Sequence, residues 1–473
     1  MRIAWASPLP PEPSGISDYC AELLPHLVRS DRVERLDLYV EEGRRPAPIP
    51  AGGAELAVAP LRHLAAKADA YDAIVYHLGN NGDHHAEIYR TLCAVPGVVV
   101  LHEFMLHHLI RAVTLARGNP AAYVEEMRYA YGRSGQSMAK RFLASGLPFD
   151  TWSYPLFERT VDASRAILVH NEFARERVLR SRPAARVGVA PLLFDPAALA
   201  PAAGGAGLDA EAARQAARKL ARAELGVPEG AFVVASFGFV TPAKRLPVTL
   251  EAFRRLRREV PEAVYLIVGE VSPHYDFASV LDRGLGEGVR LSGRIELAAF
   301  ERAMLAADVA INLRFPTGGE TSASLIRLLG LGIPTIVSKN GSFAEIPSGC
   351  ALPVDLDETE ADLLTAYLLR LARDPELRRR IGEAARAFVA EHHAPRAAVE
   401  GYLSFLAEVI AARPEPYRAV PPLAPWPEAD IGMELAAEVS GALADLGIDE
   451  RDDESLRPVA EALVDLRWPP HPG

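Results

Sequence analysis

The strongest constraint on the fold is an alternation that runs through the sequence twice. Short β-branched runs at Arg2–Ala6, Arg35–Val40, Ala73–Tyr76, Val98–His102, Ala166–His170 and Arg186–Ala190 are separated by longer amphipathic segments, among them Ser17–Val28, Asp83–Cys93 and Asn171–Arg180. Strands and helices in strict alternation bury their apolar faces by stacking helices on both sides of a mostly parallel sheet. The rhythm breaks at Asp195–Leu225, which is Ala/Gly/Pro-rich and then becomes the basic helical stretch EAARQAARKLARAELG. It resumes at Phe232–Gly238, Val264–Gly269, Gly288–Leu291, Asp308–Leu313, Thr335–Val337 and Ala351–Pro353, with helices expected at Pro247–Glu259, Leu297–Ala306 and Thr321–Leu331. Two successive doubly wound α/β domains are the simplest reading, and 473 residues are too many for one ordinary core.

The expected division is 1–195 for the first domain, 196–228 for a linker and lead-in helix, and 229–394 for the second domain. Helical patterns follow at Glu358–Arg373, Glu376–Glu391 and Pro395–Ala411, the last with Pro at its first position, where a missing N–H costs nothing. Residues 414–473 form a Pro-rich and then acidic tail, with helices expected near Met433–Leu446 and Ser455–Leu466; it reads as a small appendage or a partly disordered segment.

Composition excludes several function classes. A hydrophobic fraction of 49% and a charged fraction of 24% are those of a soluble globular protein. A net charge of -11 argues against non-specific nucleic-acid binding, but not against a diphosphate ligand, which needs only a local basic pocket. Cys20, Cys93 and Cys350 show no short-spaced pair, so neither a disulfide framework nor a cysteine zinc site is indicated, and a cytoplasmic setting fits. MRIAWAS lacks the apolar core of a signal peptide, and no run of 18 apolar residues occurs, so no membrane span is expected.

Ligands of open α/β sheets bind beyond the carboxyl ends of the strands, so the residues that follow each strand are the candidates. After the first strand, Ser14-Gly15-Ile16 precedes a helix expected to start near Ser17 or Asp18; it is either a capped turn or a close backbone approach to an anion. In VVVLHEFMLHHL, His102 and His107 are five residues apart, about 140° around a helix, which rules out a zincin pair. His102, at a strand end, remains a polar contact for a cleft, whereas His107 and His108 read as packing or surface residues. YHLGNNGDHH, residues 76–85, reads equally as an acceptor loop or as a turn feeding the next helix. In ASFGFVTPAKRLP a strand ends at Gly238, and Lys244 and Arg245 follow just before a helix. Cations are disfavoured at a helix N-terminus, so a bound diphosphate accounts for them better than solvent does. In RFPTGGETSASLIRLLGLGIPTIVS, Glu320, Thr321, Ser322 and Ser324 stand where a loop becomes a helix, and they either cap it or meet a ligand. Asp355-Leu356-Asp357 reads as a helix cap rather than a metal site.

Taken together, PLPPEPSGISDYCAELL, VVVLHEF, VHNEFARERV, FGFVTPAKRLPVTLEAF, VYLIVGE, VRLSGRI and GETSASLIRLLGLGIPTIVS resemble, in order and spacing, the retaining family 4 ("group 1") glycosyltransferases of GT-B fold, over roughly Met1 to Ala411. The resemblance implies two Rossmann-like domains facing a cleft, with the helix at 395–413 crossing back to the first. It implies a nucleotide-diphospho-sugar donor held mainly by the second domain, a glycan, lipid-linked or small-molecule acceptor, and no obligate metal or cofactor. It also implies a cytoplasmic enzyme, with contact at the inner membrane face compatible with many relatives. Carried onto this chain, Lys244 neutralises the diphosphate and Gly15 and Ile16 approach it through the backbone. Gly238 closes the strand beside Lys244 and Arg245. His102 contacts the transferred sugar, Arg294 and Ile295 read the base, Glu320 contacts sugar hydroxyls, and Ser322, Ala323 and Ser324 present N–H groups to phosphate, with Thr321 beside them. Two positions depart from the pattern. Phe239 stands where Arg is usual, leaving Arg245 or Arg314 to replace its charge. Arg327 takes the place of the second acid of the E-x7-E motif, and strict spacing puts the first acid at Gly319, one residue before Glu320. Arg327 lies about 10 Å along the helix from Glu320, too far for a direct pair. These departures keep open a degenerate homologue that binds nucleotide sugar, or scaffolds a biosynthetic complex, without catalysis.

Overall fold

The computed structural model describes residues 1–49, 55–195, 210–228, 230–281, 286–418 and 456–458. The first sheet contains β1 (Arg2–Ala6), β2 (Arg35–Val40), β3 (Glu55–Pro60), β4 (Ala73–Leu78), β5 (Val98–Leu101), β6 (Ala166–Val169) and β7 (Val187–Val189), in the order β3-β2-β1-β4-β5-β6-β7. The second contains β8 (Val233–Phe237), β9 (Val264–Val268), β10 (Val289–Leu291), β11 (Val309–Asn312), β12 (Thr335–Ser338) and β13 (Leu352–Val354), in the order β10-β9-β8-β11-β12-β13. Every strand pair is parallel. Chain order reverses between β1 and β4 in the first sheet and between β8 and β11 in the second, which opens a crevice at the carboxyl ends of those strands.

Strands such as Val98-Val99-Val100-Leu101 are buried on both faces, as parallel strands under helices must be. One apolar cluster joins Trp5, Leu23 and Leu24 of the first domain to Tyr402, Leu403 and Leu406 of the helix Pro395–Ala412, and continues into Leu325, Ile326 and Val389 of the second domain. That helix therefore packs on the first domain although it follows the second in sequence. The domains also meet through backbone: Phe104 N donates to Gly318 O at 2.7 Å, and the Glu345 carboxylate accepts from Glu172 N (3.1 Å) and Phe173 N (2.6 Å) at the start of the helix Glu172–Ser181. Gly319 sits in this contact with φ +79, and a Cβ there would lie 2.4 Å from the Phe104 ring.

The observed elements differ from the sequence expectation in five places. The edge strand β3 was not anticipated, because ELAVAP shows neither a long β-branched run nor clear alternation. The helix Pro120–Ser145, bent at Gly132 (φ 63), was also missed; its small and polar residues weaken the helical period. The helix Gly15–Leu27 starts two residues early, because Ser14 caps it. The helix at the second crevice is Ala323–Gly330, capped by Ser322 and not by Glu320. In the basic stretch, Arg218 and Arg222 turn inward onto Asp308 at 2.6 and 2.7 Å, a pairing that the sequence did not indicate. The tail helices near Met433–Leu446 and Ser455–Leu466 lie outside the described residues, apart from 456–458, which are helical. Before that point the tail rests on the first domain, with Tyr417 N donating to Ser164 O and Arg418 N to Asp162 O. No helix among the described residues is long and apolar enough to cross a membrane.

Candidate active site

The second-domain half of the crevice is built where β8 and β11 part. β8 is followed by Gly238, whose φ of +91 is a conformation that side chains disfavour; a Cβ there would stand 3.1 Å from Lys244 Nζ. The short turn Pro242–Lys244 folds Lys244 back over the strand end, and Nζ donates to the Phe237 carbonyl. Lys244 is 9% exposed. Burial depresses its pKa well below the usual lysine range, Arg314 depresses it further, and Glu320 acts in the opposite direction. Arg314 follows β11, with Nε 3.2 Å from Glu320 Oε1. Glu320 is then fixed from its other oxygen, which accepts from Thr317 Oγ1 (2.9 Å) and Gly318 N (2.8 Å). A buried amine, a guanidinium and one carboxylate thus share the carboxyl edge of the reversal point.

The first-domain half is supplied by the residues after β5. Glu103 reaches toward the same turn: a Cβ on Gly318 would be 3.3 Å from Glu103 Oε2, while Oε1 accepts from Asn80 N at 3.1 Å. Burial and the charge of Glu320 push the Glu103 carboxyl up to about 7, against the pull of Arg314 and the Asn80 hydrogen bond. Glu103 was not singled out in the sequence; its only signal is an acid directly after a strand-end histidine. His102 lies beside it, with its Nε2 2.9 Å from His77 Nδ1 and its ring 5.3 Å from Tyr19 and 4.9 Å from His170. Burial holds the His102 imidazole neutral, well below the usual histidine range, and His170, His77 and His85 add to the shift.

The remaining expected residues are distributed differently. Ser322 Oγ accepts from Leu325 N (3.3 Å), and Ser324 Oγ lies 3.1 Å from Ser322 Oγ and 3.2 Å from Asn312 Nδ2, so both hydroxyls are engaged at the helix start, while Ala323 is its first residue. Thr321 Oγ1 accepts from Asn171 Nδ2 at 2.9 Å, which ties the loop to the first domain. Ile16 N is already taken by Ser14 Oγ at 3.3 Å, whereas nothing stands within 4 Å of a Cβ placed on Gly15. Arg294 is exposed, and Ile295 packs on the second-domain core. Asp18 is raised by burial against the pull of Arg327 and Arg294.

Two arginines expected near the ligand are committed elsewhere. Arg245, at φ 54, turns onto Glu360, which accepts its Nε at 2.7 Å and also pairs with its Nη2. Arg327 Nε donates to Glu301 Oε1 at 2.9 Å, and its Nη2 pairs with Glu22 of the helix Gly15–Leu27. The cation that faces Lys244 and Glu320 is Arg314; Phe239, 50% exposed, carries no charge to the crevice.

Two facing domains, each with its sequence reversal at the crevice, a lysine and an arginine on one side and a histidine and an acid on the other, define the architecture. The fold is GT-B. Solved structures share it: HepE from Anabaena in complex with UDP-glucose (15% identity, covering 87% of this chain and 100% of that one, TM-score 0.55), a sucrose-phosphate synthase from Thermosynechococcus elongatus (16%, 87% and 100%, 0.57), and a glycosyltransferase from Rickettsia africae (13%, 86% and 98%, 0.53). Residues 217–388, most of the second GT-B domain, match the family described as glycosyl transferases, group 1. No curated protein sequence matches the chain.

Proposed function

We propose that the protein is a glycosyltransferase of the family 4 type, which moves a sugar from a nucleotide-diphospho-sugar to an acceptor hydroxyl with retention at the anomeric carbon. The observation that carries this reading is the group Lys244, Arg314 and Glu320 at the second-domain reversal point, faced by His102 and Glu103 across the crevice. The match of residues 217–388 and the UDP-glucose held by the Anabaena protein support it.

Breaking the glycosidic bond loads negative charge onto the leaving phosphate. Lys244 and Arg314 are fixed before the reaction and lie where that charge develops, so little reorganisation is needed. Glu320, held by Thr317 and Gly318, keeps its carboxylate as an acceptor for sugar hydroxyls. Glu103, half-neutral near pH 7, can accept or donate at the same sugar. Retention is assigned with the leaving phosphate receiving the acceptor proton. No metal or other cofactor enters the scheme. The acceptor is a glycan, a lipid-linked sugar or a small molecule bound on the first-domain side.

The deciding experiment is a thermal-shift and calorimetry panel of UDP, GDP, ADP and their sugar conjugates on wild type and Lys244→Ala. Binding of one nucleotide class, lost in the variant, is the expected result and names the donor base. Failure of all of them to bind wild type would overturn the assignment and favour a scaffold that has lost its ligand.

A further inference from the structure

We infer that His77 is a positioning residue that holds His102 in the tautomer with its proton on Nδ1, so that His102 enters the crevice as a hydrogen-bond donor. The inference rests on the reading of His102 as a crevice residue of the proposed transferase.

The two rings sit on neighbouring strands. His77 belongs to β4, His102 follows β5, and His102 N donates to Leu78 O at 3.0 Å. Their side chains meet at 2.9 Å, His77 Nδ1 to His102 Nε2, so one proton lies between two ring nitrogens; Cys20 Sγ, at 3.5 Å, is the weaker second neighbour of His77 Nδ1. A neutral imidazole carries one N–H, and that leaves two arrangements. If His102 donates from Nε2, His77 must carry its proton on its own Nε2. That atom is fully buried and has no partner among the described residues, so an N–H would be stranded there. If His77 donates from Nδ1, the same Nε2 is a bare lone pair. Native interiors strand donors more rarely than they under-use acceptors, and the second arrangement leaves no stranded donor. His102 then accepts at Nε2, and its single proton is on Nδ1.

The surroundings fix His77 and keep the pair neutral. His77 is 0% exposed, its ring lies 4.3 Å from that of Trp5, and its carbonyl takes a hydrogen bond from His85 Nδ1 at 3.1 Å. The groups facing the pair are Tyr19, Cys20, His85 and His170, none of them acidic near neutral pH. Burial holds both imidazoles well below the usual histidine range, which removes the doubly protonated alternative. His102 Nδ1 makes no hydrogen bond to the described residues and, unlike His77 Nε2 and His170 Nε2, is not fully buried. His170 reaches the same tautomer through backbone: its Nδ1 donates to Ala190 O at 2.9 Å, which leaves its fully buried Nε2 bare. His102 and His170 thus share a tautomer, but only His102 owes it to another side chain.

The test reads ring protonation directly. Full-length protein labelled with 15N-histidine is examined at pH 7.5 by long-range proton–nitrogen spectra, with His102 assigned from its loss in His102→Gln. His102 is expected to show a protonated Nδ1 and a bare Nε2. His77→Phe keeps the ring against Trp5 but removes the donor, and should shift His102 toward the Nε2-protonated form. His77→Asn, whose amide nitrogen overlays Nδ1, should restore the wild-type spectrum. In a working transferase assay, kcat should fall about tenfold or more in His77→Phe, the scale seen when an orienting partner is lost, with KM for the donor within twofold, and recover in His77→Asn. A wild-type His102 protonated at Nε2, or a His77→Phe spectrum in which Nδ1–H persists, would overturn the inference. If His77→Phe does not fold, the wild-type spectrum still decides. The spectra need no substrate, so a chain that binds no nucleotide sugar but shows the tautomer exchange would sink the proposed function and leave this assignment standing.

Discussion

Arg327 of the second domain is clamped to Glu22 of the first. Arg327 is 6% exposed, and its guanidinium pairs with Glu22 through Nη2 and donates from Nε to Glu301 at 2.9 Å. One buried cation therefore serves two carboxylates, one from each domain. Removing it leaves two half-buried acids unneutralised, which costs about 1–3 kcal/mol, less than the cost of breaking a fully buried pair. We expect Arg327→Met to lose stability on that scale in urea unfolding at pH 7.5. The triple variant Arg327→Met, Glu22→Gln, Glu301→Gln should recover most of it, because neutral amides do not need the cation. A single variant that unfolds like wild type would show that the clamp contributes nothing.

Lys244 and Arg245 are neighbours in sequence with separate tasks. Arg245 neutralises Glu360, which is 2% exposed, so Arg245→Ala strands a buried carboxylate and should cost about 3–5 kcal/mol. Nucleotide affinity of that variant, measured below its unfolding temperature, should stay within a few-fold of wild type. Lys244→Ala should show the reverse: near-normal stability, and turnover reduced by about 100-fold or more, the scale of a lost oxyanion-stabilising donor. Thermal melts and kinetics on the two variants separate the roles, and exchanged outcomes would refute the division.

The parts of this molecule that follow period and turn chemistry were legible in the sequence. The β-branched runs placed twelve of the strands, and the residues after β5, β8 and β11 pointed to His102, Lys244 and Glu320. What the sequence could not carry was pairing between distant segments. Whether Arg245 faces a phosphate or Glu360 depends on a helix that starts at residue 360, and Arg327 meets Glu22 only because the domains close on each other. Glu103 escaped notice for the same reason: its character comes from Glu320, brought near by the Phe104–Gly318 backbone contact. β3 was missed because an edge strand is specified by its neighbour β2 more than by its own residues.

Glu103 makes stability fall as pH rises. Its carboxyl is pushed from the ordinary 4.5 up to about 7. A carboxyl with a raised folded-state pKa favours folding fully below 4.5, and that contribution is lost as pH climbs through the folded value of about 7. At pH 8 the folded chain must therefore hold an ionised Glu103 beside Glu320. Glu103→Gln keeps an acceptor for Asn80 N and cannot ionise. It should be more stable than wild type at pH 8 by about 1–3 kcal/mol, with the difference vanishing near pH 4.5. Chemical unfolding at several pH values gives the curve, and a gap that does not change with pH would mean that Glu103 keeps one state throughout.

Nucleotide binding should draw a proton onto Lys244. Burial holds the amine well below its usual range, so it is neutral over pH values at which the unfolded chain carries a charge there, and folding is disfavoured as pH falls through that interval. An arriving diphosphate places negative charge beside Nζ and favours the charged amine again. Calorimetric titration of the preferred nucleotide diphosphate in phosphate, HEPES and Tris at pH 7.5 measures this, because the apparent enthalpy varies with the buffer's ionisation enthalpy in proportion to protons taken up. Glu103 would also be protonated further by an incoming anion, so the experiment belongs in the Glu103→Gln background. Net proton uptake is expected there and should disappear in Glu103→Gln/Lys244→Met, provided the double variant still binds at higher ligand concentration. An apparent enthalpy independent of buffer in Glu103→Gln would mean either that Lys244 is already charged in the free protein or that the phosphates sit elsewhere. The first case would show as a stability difference between the protein and its Lys244→Met variant that does not change with pH, the second as unchanged affinity in the same variant.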